Sequence, residues 1–202
     1  MIYAGIDIGS ITAKAALIKN NRLLGTHVIM TGYDPINAGI KVFDALLKQS
    51  RISKTQISAI ISTGYGRASV SFADKALTEI ICHGTGAHFM NPEIRGIIDV
   101  GGQDSKAIFL DQNGQVENFA MNDKCAAGTG RFLEVMAKAL EVDLEFLGDF
   151  SLAADKPSKI SSICTVFAES EVISMIAKQE RRENIIAGIH ESAAPRVAIL
   201  AN

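Results

Sequence analysis

The sequence predicts an α/β protein built as two homologous lobes. Three observations carry the prediction. Residues 6–24, IDIGSITAKAALIKNNRLL, are echoed by residues 98–116, IDVGGQDSKAIFLDQNGQV, at a constant offset of 92. That register places Asp7 on Asp99, Gly9 on Gly101, Lys14 on Lys106, Ala15 on Ala107 and Asn21 on Asn113, and self-similarity over such a distance marks a duplicated structural unit. Each copy also reads alike: an apolar strand ending in Asp-x-Gly, a tight turn, a second strand, a polar turn (KNNR or DQNG) and a third strand. Between and after the copies, apolar positions recur at helical spacing, the alternation expected of an α/β fold.

The remaining elements follow in chain order. Residues 35–50, PINAGIKVFDALLKQS, carry a helical apolar pattern, and 57–62, ISAIIS, read as a buried strand. TGYGR (63–67) after that strand reads as a functional turn. Helices are expected over 68–81 and 83–90, then over 129–141, 143–149, 167–178 and 183–202. MNPEIRG (90–96) is punctuated by Asn-Pro and marks the boundary between a first lobe, 1–92, and a second, 93–202.

Composition narrows the function. With 202 residues, 48% of them hydrophobic, the chain can bury one large core or two smaller ones. A net charge of −2 offers no basic field for nucleic acid or anionic lipid. There is no Trp and only 6% aromatic residues, which disfavours base-stacking platforms. No apolar run approaches the roughly 20 residues of a membrane span, and MIYAGIDIGS lacks the basic start of a signal peptide. Three cysteines make no disulfide framework. A reduced cytoplasmic protein is expected, with neither nucleic-acid nor membrane partners.

The two Asp-x-Gly turns suggest phosphate chemistry. Glycine lets backbone N–H groups approach an anion, and Ser10, Thr12 and Ser105 add hydroxyl donors. A carboxylate beside a phosphate site holds Mg2+ directly or through water, a role for Asp7 and Asp99. One such turn would be ordinary; two, facing each other, would grip a polyphosphate. Gly9, Ser10, Thr12, Lys14, Gly101, Gly102 and Ser105 are candidates for the cofactor site, with Gly128 and Gly130 beside them. Gln103 and Asp104 are candidates for orienting the attacking water.

These hairpins on a duplicated lobe resemble the RNase H-like lobes of the acetate and sugar kinase, Hsp70 and actin superfamily. GIDIGSITAK, TGYGR, IIDVGGQDSK, MNDKCAAGTGRFLEV, CTVFAESEVIS and IIAGIH together resemble a narrower group, the ATP-dependent activators of 2-hydroxyacyl-CoA dehydratases, which includes benzoyl-CoA reductase ATPase subunits. The resemblance runs the length of the chain. Chains of that family continue further, into a glycine-rich segment that packs the adenosine, so the resemblance implies a second lobe truncated in this sequence.

Cys125 precedes AAGTGRFLEVMAKAL, and Cys164 precedes TVFAESEVISMIAK. Both are expected at or just before a helix N-terminus, where the dipole and free N–H groups favour a thiolate. Ala126, Ala127 and Gly128 would let inorganic sulfur approach. One chain has too few such thiols for a four-cysteine cluster, but a symmetric dimer supplies each twice. Cys125 and Cys164 from two copies would hold one 4Fe–4S cluster, and the resemblance implies the same arrangement. Two buried free cysteines or a zinc site are the alternatives. Cys82 reads as a core residue, as do Met121, Met136 and Met175, and His83 as structural. Lys124 and Arg131 flank the first thiol and would tune the cluster or balance surface charge. Glu169 would link nucleotide state to the second thiol or meet the helix dipole. KQERREN (178–184) reads as a solvated turn.

The function expected from these features is ATP-driven injection of a low-potential electron into a dehydratase or reductase partner, with ferredoxin or flavodoxin as donor. A cluster-free ATPase or small-molecule kinase of the same fold, and a non-catalytic scaffold, are the competing classes; iron content separates the first two.

Overall fold

A computed structural model describes residues 1–122, 125–161 and 164–201. The chain divides into two compact units, Met1–Pro92 and Glu93–Asn202.

The first unit is a five-stranded sheet with a helix across one face. β1 (Ile2–Ile8), β2 (Thr12–Lys19) and β3 (Arg22–Met30) form an antiparallel meander. The β2–β3 turn is KNNR, with Asn20 and Asn21 at φ 49° and 59°, the left-handed pair that a two-residue hairpin loop needs. β4 (Ile57–Thr63) pairs parallel with the other edge of β1, and short β5 (Lys75–Ala76) with β4, giving the order β3-β2-β1-β4-β5. The alternation in β1 sends Ala4, Ile6 and Ile8 to one face, onto α1 (Pro35–Ser50) through Val42, Phe43 and Leu46. α1 begins where Asp34 accepts the Asn37 N–H and Pro35 fills the first turn, and it ends at Arg51 in the left-handed region.

Residues 68–81 do not form the expected helix. Arg67–Ser69 make one 3-10 turn, and the chain then runs along the outer edge of β4. There Asp74 accepts the Ile60 N–H on its carboxylate and donates its own N–H to the Ile60 carbonyl, and Leu77 N–H reaches the Ser62 carbonyl. Satisfying that strand edge outweighs local helix propensity. A helix starts only after Thr78 caps it, as α2 (Glu79–Met90). Cys82 lies half-buried on α2 and is not in either buried core cluster.

The second unit repeats the meander as β6 (Gly96–Val100), β7 (Ser105–Leu110) and β8 (Val116–Asn122), with β7 central. Its DQNG turn is organised by the Asp111 carboxylate, which accepts from Asn113 and Gln115, while Gly114 takes φ 76°. α3 (Gly130–Ala139), α4 (Leu147–Leu152), α5 (Thr165–Ala177) and α6 (Arg182–Ala198) follow. Their core is Phe132, Met136, Ala168, Val172, Ile185, Ile186 and Ile189. Met136 is fully buried and Met175 packs beside it, whereas Met121 is exposed on β8, contrary to the core role expected of it. Residues 178–181 form the polar turn between α5 and α6, and within 178–184 only Asn184, in the first turn of α6, is buried. Among the described residues no helix is long and apolar enough to cross a membrane.

Gly188 on α6 lies directly under the backbone of Ser158, which donates to the Asn184 carbonyl at 2.9 Å. A Cβ there would strike the Ser158 carbonyl carbon and oxygen. Gly188→Ala is expected to destabilise the protein by about 1–3 kcal/mol, the usual cost of overpacking, measured by denaturant unfolding.

Candidate functional site

In the first unit the Asp-x-Gly turn is a rigid hairpin. Asp7 and Lys14 are directly opposed on β1 and β2 and form an ion pair at 3.0 Å. Gly9 closes the turn by donating to the Thr12 carbonyl at 3.1 Å. A Cβ on Gly9 would lie 2.9 Å from that carbonyl oxygen, so the turn admits no larger residue. Thr31 braces it from β3's end, its hydroxyl donating to the Gly9 carbonyl at 2.8 Å and its N–H to the Ile11 carbonyl at 2.9 Å. Ser10 and Thr12 are half-buried on this turn.

TGYGR seals one side of the same carboxylate. Gly64 adopts φ 85°, and a Cβ on it would collide with the Asp7 carboxylate and the Ile8 carbonyl. Gly66 donates to the Ile8 carbonyl at 2.8 Å. Arg67 folds back onto the Gly64 carbonyl at 3.0 Å and reaches Glu79 at 3.7 Å. The two glycines were visible in the sequence, but the Asp7 carboxylate and Ile8 that they pack on lie on a different strand.

The second turn is built on the same pattern with a heavier electrostatic core. Lys106, opposite Asp99, is 3% exposed and bonds Asp99 at 3.5 Å and Asp104 at 2.7 Å. Asp104 is 4% exposed, so its carboxylate anchors the turn internally. Gly101 closes the turn onto the Asp104 carbonyl at 2.8 Å. Gly102 is half-buried and Gln103 exposed.

This turn is stitched to the segment that carries the first thiol. Gly130 N–H donates to the Gly101 carbonyl at 2.9 Å, and Arg131 N–H to the Gly102 carbonyl at 3.0 Å. These are the first two N–H groups of α3, which otherwise have no intrahelical acceptor. The buried Ser105 hydroxyl donates to the Gly128 carbonyl at 2.7 Å, and Thr129, fully buried, donates to the Ala126 carbonyl. Gly128 takes φ 85° with its Cα against Arg196 and Val197 of α6.

Cys125 and Cys164 are both free and exposed. Cys164 is the N-cap residue of α5, as expected. Cys125 is not at a helix end: it lies five residues before α3 begins at Gly130, because Thr129 takes the N-cap position. α3 and α5 pack against each other in one core. The approach to Cys164 is held by Glu171, whose carboxylate accepts the N–H of Ser161 at 2.8 Å and its hydroxyl; Glu169, singled out from the sequence, is only half-buried on α5. Among the described residues no group of three or more His, Cys, Asp or Glu is arranged to hold a metal within one chain. Lys124 lies outside the described residues.

The buried lysine gives a direct test of the second turn. Lys106→Met would remove the ion pair from the buried Asp104 carboxylate and is expected to cost about 3–5 kcal/mol. The double variant with Asp104→Asn is expected to recover part of that loss in the same denaturant titration.

The family model for the BadF/BadG/BcrA/BcrD ATPase family matches residues 4–202. The 2-hydroxyisocaproyl-CoA dehydratase activator of Clostridioides difficile is 46% identical over 201 residues, covering 99% of this chain and 75% of that protein. The crystal structure of component A of the Acidaminococcus fermentans (R)-2-hydroxyglutaryl-CoA dehydratase superposes with a TM-score of 0.95 at 43% identity, covering 100% of this chain and 78% of that one. The activator from Clostridium difficile with bound ADPNP superposes at 0.94 and 46% identity, covering 100% and 75%. With its duplicated strand–turn–strand meanders and end-to-end sequence match, the chain belongs to the BadF/BadG/BcrA/BcrD ATPase family and has its α/β, actin-like ATPase fold.

Proposed function

We propose that this chain is an ATP-hydrolysing iron–sulfur activator that delivers a low-potential electron to a 2-hydroxyacyl-CoA dehydratase or a related CoA-thioester reductase. The observation that carries this reading is the pair of hydrogen bonds from Gly130 and Arg131 to the Gly101 and Gly102 carbonyls. A turn of phosphate-binding type and the segment bearing Cys125 share backbone bonds, so neither shifts without the other. Relatives named as dehydratase activators, one of them solved with ADPNP, support the same reading.

In this reading Asp7 and Asp99 supply the carboxylates for Mg2+ and its water, each held in place by its opposing lysine. The hydroxyls and N–H groups at Ser10, Thr12, Gly102 and Gln103 hold phosphate oxygens, and Gly101 closes the turn that presents them. Asp104, locked onto Lys106, acts by fixing the turn. The donor set fits a 4Fe–4S cluster: Cys125 and Cys164 are exposed, unpaired thiols, and a homodimer completes the four thiolates that such a cluster takes. When bound, the cluster stores and transfers the electron, at a potential set by nearby hydrogen bonds, charge and exposure. The chain's own part is to present the thiols and exclude competing ligands. The partners are a second copy of the chain, the dehydratase or reductase, and a ferredoxin or flavodoxin donor, in a reduced cytoplasm.

Anaerobic purification followed by iron and sulfide counting tests the reading. About four irons per dimer are expected, one 4Fe–4S cluster, with none retained in Cys125→Ser. Asp7→Ala and Asp99→Ala are expected to keep the iron and lose about 100-fold or more in ATP hydrolysis. Iron-free, monomeric wild-type protein that hydrolyses ATP would instead identify a cluster-free ATPase or kinase.

A further inference from the structure

Beside the Asp7–Lys14 pair lies a third polar side chain that neither the hairpin nor the turn uses. Thr63 is the last residue of β4, in parallel register with Asp7 on β1. Register partners project from the same face of a sheet, so Lys14, Asp7 and Thr63 form a row across three adjacent strands, on the face opposite α1. The Thr63 hydroxyl oxygen is buried and has no hydrogen-bond partner among the described residues. The other hydroxyls of this loop are used: Ser62 donates to the Arg67 carbonyl at 3.0 Å and Ser69 to the Gly66 carbonyl at 2.6 Å. A buried hydroxyl without a partner costs stability, and such costs concentrate at functional sites. The backbone around it is fixed. Gly64 follows in the left-handed region, packed on the Asp7 carboxylate, and Gly66 is bonded to Ile8.

We infer that Thr63 is a positioning residue of the nucleotide site, its hydroxyl hydrogen-bonding a water of the divalent metal–nucleotide complex that Asp7 holds. This rests on the reading of Asp7 as the metal-site carboxylate. The hydroxyl is the only part of the row able both to donate and to accept: Lys14 donates only and ionised Asp7 accepts only. It can therefore orient a metal-bound water toward Asp7 without adding charge.

The test separates this role from a structural one. Mn2+·ADP affinity and thermal midpoint are measured for wild type, Thr63→Val, Thr63→Ser, Thr63→Ala and Asp7→Ala. Thr63→Val is expected to weaken Mn2+·ADP binding about tenfold, the worth of one such hydrogen bond, with the nucleotide-free midpoint unchanged or raised. Thr63→Ser is expected to restore binding. The Ser/Ala pair isolates the hydroxyl should the Val variant fold poorly, with Ser expected to bind about tenfold tighter than Ala. Wild-type affinity in Thr63→Val, or equal affinity in Ser and Ala, would overturn the inference. So would a hydroxyl-dependent fall in the nucleotide-free midpoint, since the group would then serve the fold. If Asp7→Ala binds Mn2+·ADP like wild type, the reading of the hairpin itself fails; if only the Thr63 variants do, that reading stands.

Discussion

The second unit depends on a short backbone exchange. Two carbonyls of the Gly101–Gly102 turn accept the first two N–H groups of α3. A helix start must satisfy those donors somewhere. Here the acceptor is neither a capping side chain nor solvent but the bend of a β-hairpin. Glycine at 130 eases the approach, since a Cβ would lie 3.2 Å from the Gly101 carbonyl oxygen and push it back by a few tenths of an ångström. The buried Ser105–Gly128 bond fastens the same junction from the other side. The thiol segment is thus an extension of the hairpin, and the order of the sheet propagates into the helices behind it.

The first unit uses glycine for a different purpose. TGYGR covers the Asp7 carboxylate with backbone alone, because any side chain at Gly64 would displace it. The result is a carboxylate with its lysine on one flank, a glycine over it and a hydroxyl on the next strand. Sheet register fixes the carboxylate, the lysine and the hydroxyl, and the left-handed turn after β4 fixes the glycine, which gives the geometry the rigidity that a site for small, hard ligands demands.

Local chemistry made much of this readable. The α1 helix announces itself by Asp34, Pro35 and its apolar spacing, and both hairpins by Asn-Asn and Asp-Gln-Asn-Gly turns. The repeat aligned the two Asp and the two Lys residues, but that each Asp faces its own Lys follows only from the register of the strands. The segment 68–78 was misread as helix because the deciding interaction, the open edge of β4, is not local. Cys125 stands one residue further from α3 than a helix starting at 129 would put it, because Thr129 takes the cap. Glu171 was overlooked in favour of Glu169: both lie on α5, and only the contact with Ser161 tells them apart.

The duplicated ion pair occurs in two dielectric settings. Lys14 is 46% exposed and Asp7 25%, whereas Lys106 is 3% exposed. Mobile ions reach the first pair and scarcely reach the second, since screening acts on solvated charges. One hairpin therefore loosens as ionic strength rises, while its copy keeps its geometry, so two turns of common ancestry divide into a salt-responsive member and a salt-indifferent one.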